Sequence, residues 1–190
     1  MPARAPWLTA ALVLLLVALH IVQTTFPAVL EAGALDRAQP WALWRWLTGH
    51  LLHTNLQHLA WNGGALLLLG VAIEKFSRLA LGAGVVAGMV GLALWFWFVS
   101  DLDRYVGLSG ILHTLLVVVL ALFWVSARSG AERWIVAAVF AGAWVKALLE
   151  AASGATFLGA AAWPPEPGSH LAGLVSGCAL LPWLWRRGAK

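Results

Sequence analysis

The sequence predicts an all-α membrane protein built as a bundle of six transmembrane helices. The mean hydropathy is +0.84, 62% of the 190 residues are hydrophobic, and only 11% are charged. A water-soluble domain carries far more charge on its surface. Since a transmembrane helix takes about 20 residues, six spans with short connections use most of the chain, which leaves no room for a second domain.

Six apolar stretches form the predicted spans, and charged or Gly/Pro-rich segments separate them. The stretches cover residues 7–28, 50–73, 79–99, 108–125, 134–151 and 169–185. The first follows a basic residue and precedes the sequence Glu-Ala-Gly-Ala, a pattern that also occurs in cleaved signal peptides. We expect it to remain as the first helix, because its removal would upset the topology that the charges favour.

The basic residues favour a topology with both termini in the cytoplasm. Eight of the twelve Lys and Arg residues then lie inside and four lie outside, in agreement with the positive-inside rule. The inside residues are Arg4, Lys75, Arg78, Arg128, Arg133, Arg186, Arg187 and Lys190, and the outside residues are Arg37, Arg45, Arg104 and Lys146. This rule accounts for the net charge of +4, so we expect the lipid bilayer and no nucleic acid as a partner.

Polar side chains within the apolar stretches indicate where the chemistry lies, because such residues are costly in lipid and functional by default. They are His50, His53, His58 and Asn62 in the second stretch, Ser109 and His113 in the fourth, and His170 in the sixth. In the predicted topology these three spans all run from outside to inside. Their first turns therefore share one depth, and the sequence brings a hydroxyl, imidazoles and a carboxamide to the outer layer of the membrane.

These groups suit acyl transfer to a serine nucleophile. A histidine can take the proton of the Ser109 hydroxyl near neutral pH. The Asn62 amide, His58 and the backbone N–H of Ser109 are available as donors to the oxyanion, and His58 and Asn62 share one helix face because they are four residues apart. We expect a Ser–His dyad rather than a triad.

Other intramembrane functions fit the sequence less well. A zinc metalloprotease needs the spacing H-E-x-x-H, which His50, His53 and His58 lack, so we expect no metal and no other cofactor. An aspartyl protease needs two intramembrane Asp residues, whereas Asp101 and Asp103 share one loop. A proton-coupled transporter would carry paired carboxylates or broken helices in two symmetric halves, and the sequence has neither pattern.

Pairs of glycines predict where helices pack closely. Small residues four apart allow two helix backbones to approach each other in lipid, so we expect the fourth and sixth spans to be in close contact. The pairs four apart are Gly84 and Gly88, and Gly173 and Gly177, and the start of the fourth span has Gly107 and Gly110, three apart.

Three motifs, in this order along the chain, resemble those of the rhomboid family of intramembrane serine proteases. They are Trp44-Arg45 leading to His58 and Asn62, Gly107-Leu108-Ser109-Gly110, and His170-Leu171-Ala172-Gly173 followed by Gly177. The resemblance extends from about Trp44 to the end of the chain. It implies a six-transmembrane-helix rhomboid-like bundle forming a single domain over residues 1–190.

The resemblance implies a role for each matched residue. Ser109 is the nucleophile and His170 the general base. His58, Asn62 and the Ser109 backbone are the donors to the oxyanion. The residues to which it gives a structural role are Arg45, Glu74, Gly107, Gly110, Gly173 and Gly177.

His113 departs from the pattern of many rhomboids, which have a Tyr stacked on the catalytic His at this position. The run from Ser109 to His113 is similar to that of the rhombosortase branch. That similarity implies substrates with a C-terminal Gly-Gly motif, one apolar span and a basic tail (GlyGly-CTERM proteins), cleaved on the periplasmic side of the bacterial inner membrane. His113 either replaces the Tyr as a wall beside the base, or tunes the base or contacts the substrate.

The alternative function is that of a catalytically inactive rhomboid-like protein that binds membrane clients. The presence of both Ser109 and His170 argues against it, because inactive relatives usually lose one of the two. A fluorophosphonate probe distinguishes these possibilities, since only the protease is labelled at Ser109.

Overall fold

The computed structural model describes residues 5–156 and 166–188, and these residues are mostly helical. The elements in chain order are α1 (Trp7–Thr25), α2 (Ala28–Gly33), β1 (Leu35–Asp36), α3 (Arg45–Leu51), α4 (Leu56–Phe76), α5 (Arg78–Phe98), β2 (Arg104–Tyr105), α6 (Ser109–Ser126), α7 (Gly130–Ser153), α8 (Gly168–Ala179) and α9 (Leu181–Gly188). Among the described helices, α1, α4, α5, α6 and α7 are long and apolar enough to cross a membrane. The chain is a multi-pass helical membrane protein.

The second span begins later than the sequence predicts. Helix α3 ends at Leu51 and α4 begins at Leu56, because the Asn55 side chain accepts a hydrogen bond from the backbone N–H of His58 (2.7 Å) and caps the new helix. The placement of His50 and His53 inside the second span is therefore wrong. His50 lies in α3, and His53 lies in the loop that joins α3 to α4.

The last apolar stretch is covered by two helices, α8 and α9, rather than by one. Pro182 follows the junction and has no backbone N–H to continue the α-helical pattern. The flanking N–H groups of Leu180 and Trp183 donate instead to carbonyls three residues earlier, those of Gly177 and Leu180, both at 3.1 Å. The chain therefore forms 3₁₀-type turns at this point and continues as helix α9.

Helix α6 is the centre of the bundle and packs against α4, α5, α7, α8 and α9. Beyond its polar first turns, which contain Ser109, His113 and Thr114, it is apolar up to Val125, as expected of a helix enclosed by other helices. Its closest neighbour is α8. A Cβ added to Gly173 would lie 2.0 Å from the backbone oxygen of Gly110, and one added to Gly177 would lie 2.5 Å from the Cβ of Val117. The structure therefore has the close helix contact that the glycine spacing predicts.

A buried carboxylate holds α1 against α4 at the end of the bundle away from Ser109. Glu74 accepts hydrogen bonds from the Thr9 hydroxyl (2.6 Å), the Thr9 backbone N–H (2.7 Å) and the Arg78 side chain (3.1 Å). Gly70 leaves room for Thr9 one turn earlier, since a Cβ there would lie 2.6 Å from the Thr9 methyl group. Because Glu74 has several donors, its charge is compensated inside the protein.

The segment between α1 and α4 covers the opposite end of the bundle. Its buried Arg45 donates hydrogen bonds to the backbone oxygens of Glu31 (2.9 Å) and Ala34 (2.8 Å). Strand β1 pairs antiparallel with β2, with Leu35 opposite Tyr105. These contacts tie the segment to the chain that leads into α6.

We predict that Gly173→Ala destabilises the fold, because the added methyl group has no space beside Gly110. Overpacking of this kind lowers the free energy of unfolding by about 1–3 kcal/mol. Gly142→Ala in α7 is the matched control, since a Cβ there meets nothing within 4 Å. Thermal unfolding in detergent, followed by tryptophan fluorescence, is the measurement. Equal melting temperatures for the two variants would contradict the packing account.

Candidate active site

The N-terminal ends of α4, α6 and α8 bring polar side chains together at one end of the bundle. His58 and Asn62 belong to α4, Ser109 is the first residue of α6, and His170 lies in the first turn of α8. The Asn55 cap starts α4 just before His58, and the contact between Gly110 and Gly173 holds the other two helix ends together. Three separate parts of the sequence thus converge on one small region.

Gly107 brings the chain before Ser109 against the side chains of α4. Its φ of +125° belongs to a region that favours glycine. A Cβ at this position would lie 2.8 Å from the Cε1 of His58 and 3.9 Å from the Nδ2 of Asn62. The Gly107 N–H is held by the backbone oxygen of Gly49 at 2.9 Å. Only a glycine allows His58 and Asn62 to lie this close to the start of α6.

His113 connects Ser109 to His170. Its Nδ1 lies 2.8 Å from the backbone oxygen of Ser109, and since a carbonyl can only accept, Nδ1 carries the proton. The His113 ring stacks on the His170 ring, with centroids 4.1 Å apart and planes inclined by 20°. The position that differs from many rhomboids is therefore occupied by a ring that lies flat against His170.

Asn62 presents a hydrogen-bond donor near the start of α6. The side chain is 4% exposed, and its Nδ2 makes no hydrogen bond to any residue in the described ranges. Such a donor, buried beside Gly107 and close to Ser109, is suitable for binding an oxygen that becomes negatively charged during a reaction.

Sequence reasoning missed Glu150, in the last turn of α7. Its Oε2 lies 2.7 Å from the Nδ1 of His170 and 2.7 Å from the Nζ of Lys146, and Glu150 is completely buried. The expected Ser–His dyad leaves this carboxylate out, because Glu150 lies 20 residues before His170 in the chain and the packing of α7 against α8 makes the two neighbours. A signal was present, since Glu150 is the one acidic residue of the stretch 134–151 and carboxylates in spans are functional by default.

The start of α8 is anchored to the end of α5. The Glu166 carboxylate accepts hydrogen bonds from the Ser100 hydroxyl (2.5 Å) and from the Trp95 Nε1 (3.3 Å). Gly168 lets the turn lie against Trp95, because a Cβ there would be 2.2 Å from the indole ring. These contacts set the position of His170, which lies two residues after Gly168.

His50 and His53 lie beside the site rather than in it. Burial lowers the pKa of His50 to about 4. Burial, and then the proximity of His58, lower the pKa of His53 to about 3. Both rings are therefore neutral at pH 7. His50 packs edge-on against Tyr105, and His53 packs edge-on against His58. Within residues 5–156 and 166–188, no group of three or more His, Cys, Asp or Glu residues is placed to hold a metal ion.

Comparison with known proteins agrees with this arrangement. Residues 40–187 match the family model described as Rhomboid domain, whereas no curated protein matches the sequence. The matched range covers well over half of the chain and contains all of the converging residues described above. The chain therefore belongs to the rhomboid family, a family of intramembrane proteases.

Proposed function

We propose that the protein is a serine endopeptidase that cleaves single-span membrane proteins, with Ser109 as nucleophile and His170 as general base. The observation that carries this proposal is the position of His113, which is hydrogen-bonded to the Ser109 backbone and stacked on His170. This position of His113 supports a nucleophile and a base that are held by neighbouring turns of the tightly packed helices α6 and α8. Precise placement of this kind is what a nucleophile and its base require.

In the proposed reaction, the Ser109 Oγ attacks the carbonyl carbon of the scissile peptide bond. The hydroxyl proton passes to Nε2 of His170, and the carbonyl electron pair moves to the oxygen. When the intermediate collapses, the C–N bond breaks and His170 returns the proton to the leaving amine. Attack of water on the acyl-enzyme, again with His170 as base, releases the second product.

The oxyanion is stabilised by Asn62, His58 and the backbone N–H of Ser109. The unbonded, buried Nδ2 of Asn62 and the proximity of both side chains to Gly107 support this assignment. The Ser109 N–H is at the first position of α6, where backbone N–H groups have no partner within the helix and the helix dipole favours negative charge. His113 acts as the wall beside the base.

The membrane topology that we propose has six spans, with α8 and α9 together forming the sixth, and both termini in the cytoplasm. Basic residues near the helix ends away from Ser109 support it. They are Lys75, Arg78, Arg128, Arg133 and Arg186. Arg4 and Lys190, which belong to the same predicted set, lie outside the described residues. The site then opens to the periplasmic side of the bacterial inner membrane.

We further propose the rhombosortase branch, whose clients carry a Gly-Gly motif, one apolar span and a basic tail. A client helix must unwind before its carbonyls become accessible. Two glycines lower the cost of unwinding by roughly 1 kcal/mol per residue relative to Ala. A basic tail would hold the C-terminus of the client in the cytoplasm. Both features suit a nucleophile near the outer boundary of the membrane.

The assignment of the reacting pair predicts that Ser109→Ala and His170→Ala each abolish cleavage without loss of expression. The double variant should be no worse than either single variant, because residues that act as a unit lose activity together. Labelling with a fluorophosphonate, located by mass spectrometry, should modify Ser109 alone.

Asn62→Ala is the graded control for this experiment, since loss of one oxyanion donor lowers the rate by about 10²–10³-fold and leaves measurable activity. Additive losses from the two single variants, or cleavage by Ser109→Ala, would disprove the assignment. A wild-type protein that binds clients but takes up no probe would instead be the inactive rhomboid-like protein.

The topology predicts that a phosphatase active only in the periplasm has no activity when it is fused after Lys190. The control is the same phosphatase inserted in the segment between α1 and α3, which should be active. A strongly active C-terminal fusion would overturn the orientation.

The substrate proposal predicts that a client is cut near its Gly pair and that the exported domain is released. Changing the pair to Leu-Leu should slow cleavage, because the client helix then resists unwinding. Mass spectrometry of the released C-terminus, for both clients in parallel, is the measurement. Cleavage of the Leu-Leu client at the same bond and rate would refute the unwinding account.

A further inference from the structure

We propose that Glu150 is a positioning residue for His170, so that the reacting group is a Ser–His–Glu relay rather than a dyad. The inference rests on the proposed function, since it concerns the same serine and histidine. Its basis is the contact between the Oε2 of Glu150 and the Nδ1 of His170, at 2.7 Å. Both side chains are almost completely buried.

The contact determines which nitrogen of His170 carries the proton. An ionised carboxylate can only accept hydrogen bonds, so Nδ1 of His170 is the donor. In the neutral ring, Nε2 then has a lone pair and can accept the proton of Ser109. When His170 takes that proton and becomes positively charged, the same carboxylate faces the new charge at hydrogen-bond distance. Glu150 thus orients the base and stabilises its charged form.

The cost of placing Glu150 here argues against a merely incidental contact. A carboxylate in the last turn of a helix faces the negative end of the helix dipole, and burial in a membrane protein adds to the penalty. Lys146, one turn earlier, compensates the charge at 2.7 Å through the same oxygen that contacts His170. The ion pair keeps a charged acceptor beside the histidine.

Few residues of α7 are fully buried in the bundle. Of its 24 residues, only Ala147 and Glu150 are buried. Ala147 packs against Val117 and Leu174 one turn below the carboxylate. A helix that faces lipid over most of its length therefore turns a carboxylate inward at the level of His170.

The test measures the rate at which a fluorophosphonate labels Ser109, because this reaction needs the nucleophile and its base but no protein client. Glu150→Gln keeps the size of the side chain but removes its charge. It should slow labelling by about 10²-fold or more, the usual contribution of a correctly poised base. It should also lower kcat for a client while leaving KM near the wild-type value. Glu132→Gln, an exposed site on the same helix, should label at the wild-type rate.

A second variant separates positioning of the base from simple docking of α7. Lys146→Met with Glu150→Leu replaces the ion pair by apolar side chains of similar size, which should keep the helix packed and the melting temperature close to wild type. If Glu150 orients His170, labelling by this double variant stays slow. Recovery of the wild-type labelling rate would mean that Glu150 only docks the helix, and the inference would be overturned.

The outcomes also distinguish this inference from the proposed function. Wild-type protein labelled at Ser109, together with wild-type rates for Glu150→Gln, would overturn the relay and leave the protease assignment intact. In a His170→Ala background, Glu150→Gln should cause no further loss, because it acts through His170. A wild-type protein that takes up no probe would refute the protease assignment and the relay with it.

Discussion

The contact between Gly110 and Gly173 is the constraint on which the rest of the site depends. In lipid no hydrophobic force drives helices together, so close packing and hydrogen bonds must do so. Here the two backbones approach until no side chain fits between them, and the Thr114 hydroxyl bridges to the Gly173 carbonyl at 2.9 Å. Ser109 precedes one glycine and His170 precedes the other. Moving α6 and α8 apart by the width of a methyl group would separate Ser109 from His170 and would unstack the His113 ring from the His170 ring.

Much of the bundle follows from hydropathy alone. Helices α5 and α6 each begin and end within one residue of the apolar stretches 79–99 and 108–125, because a charge or a loop residue bounds each stretch. The meeting of His58, Ser109 and His170 at one end of the bundle also follows, since helices that cross in the same direction place their first turns at the same depth. Hydropathy and chain direction are sufficient for both inferences.

Other features depend on contacts that hydropathy does not contain. Leu51 and Leu52 continue the apolar pattern into the second span, yet the Asn55 cap starts a new helix four residues later. Pro182 gave a local signal for the break between α8 and α9, but a hydropathy window averages over it. Glu150 is different again. No local pattern around Glu150 indicates a contact with His170, and only the side-by-side packing of α7 and α8 makes the two residues neighbours.

The way in which α7 packs against the bundle has a consequence for the surroundings of His170. Only Ala147 and Glu150 of α7 are buried, and the partly buried Phe140, Ala143 and Trp144 complete its packing against α6 and α8. The Glu150–His170 hydrogen bond links α7 to α8, so an outward displacement of α7 would withdraw the carboxylate from the histidine. The position of α7 and the hydrogen bonding of the His170 ring are thereby coupled through the Glu150 carboxylate. For the proposed reaction, the lipid that surrounds most of α7 is therefore part of the environment that keeps the carboxylate beside His170.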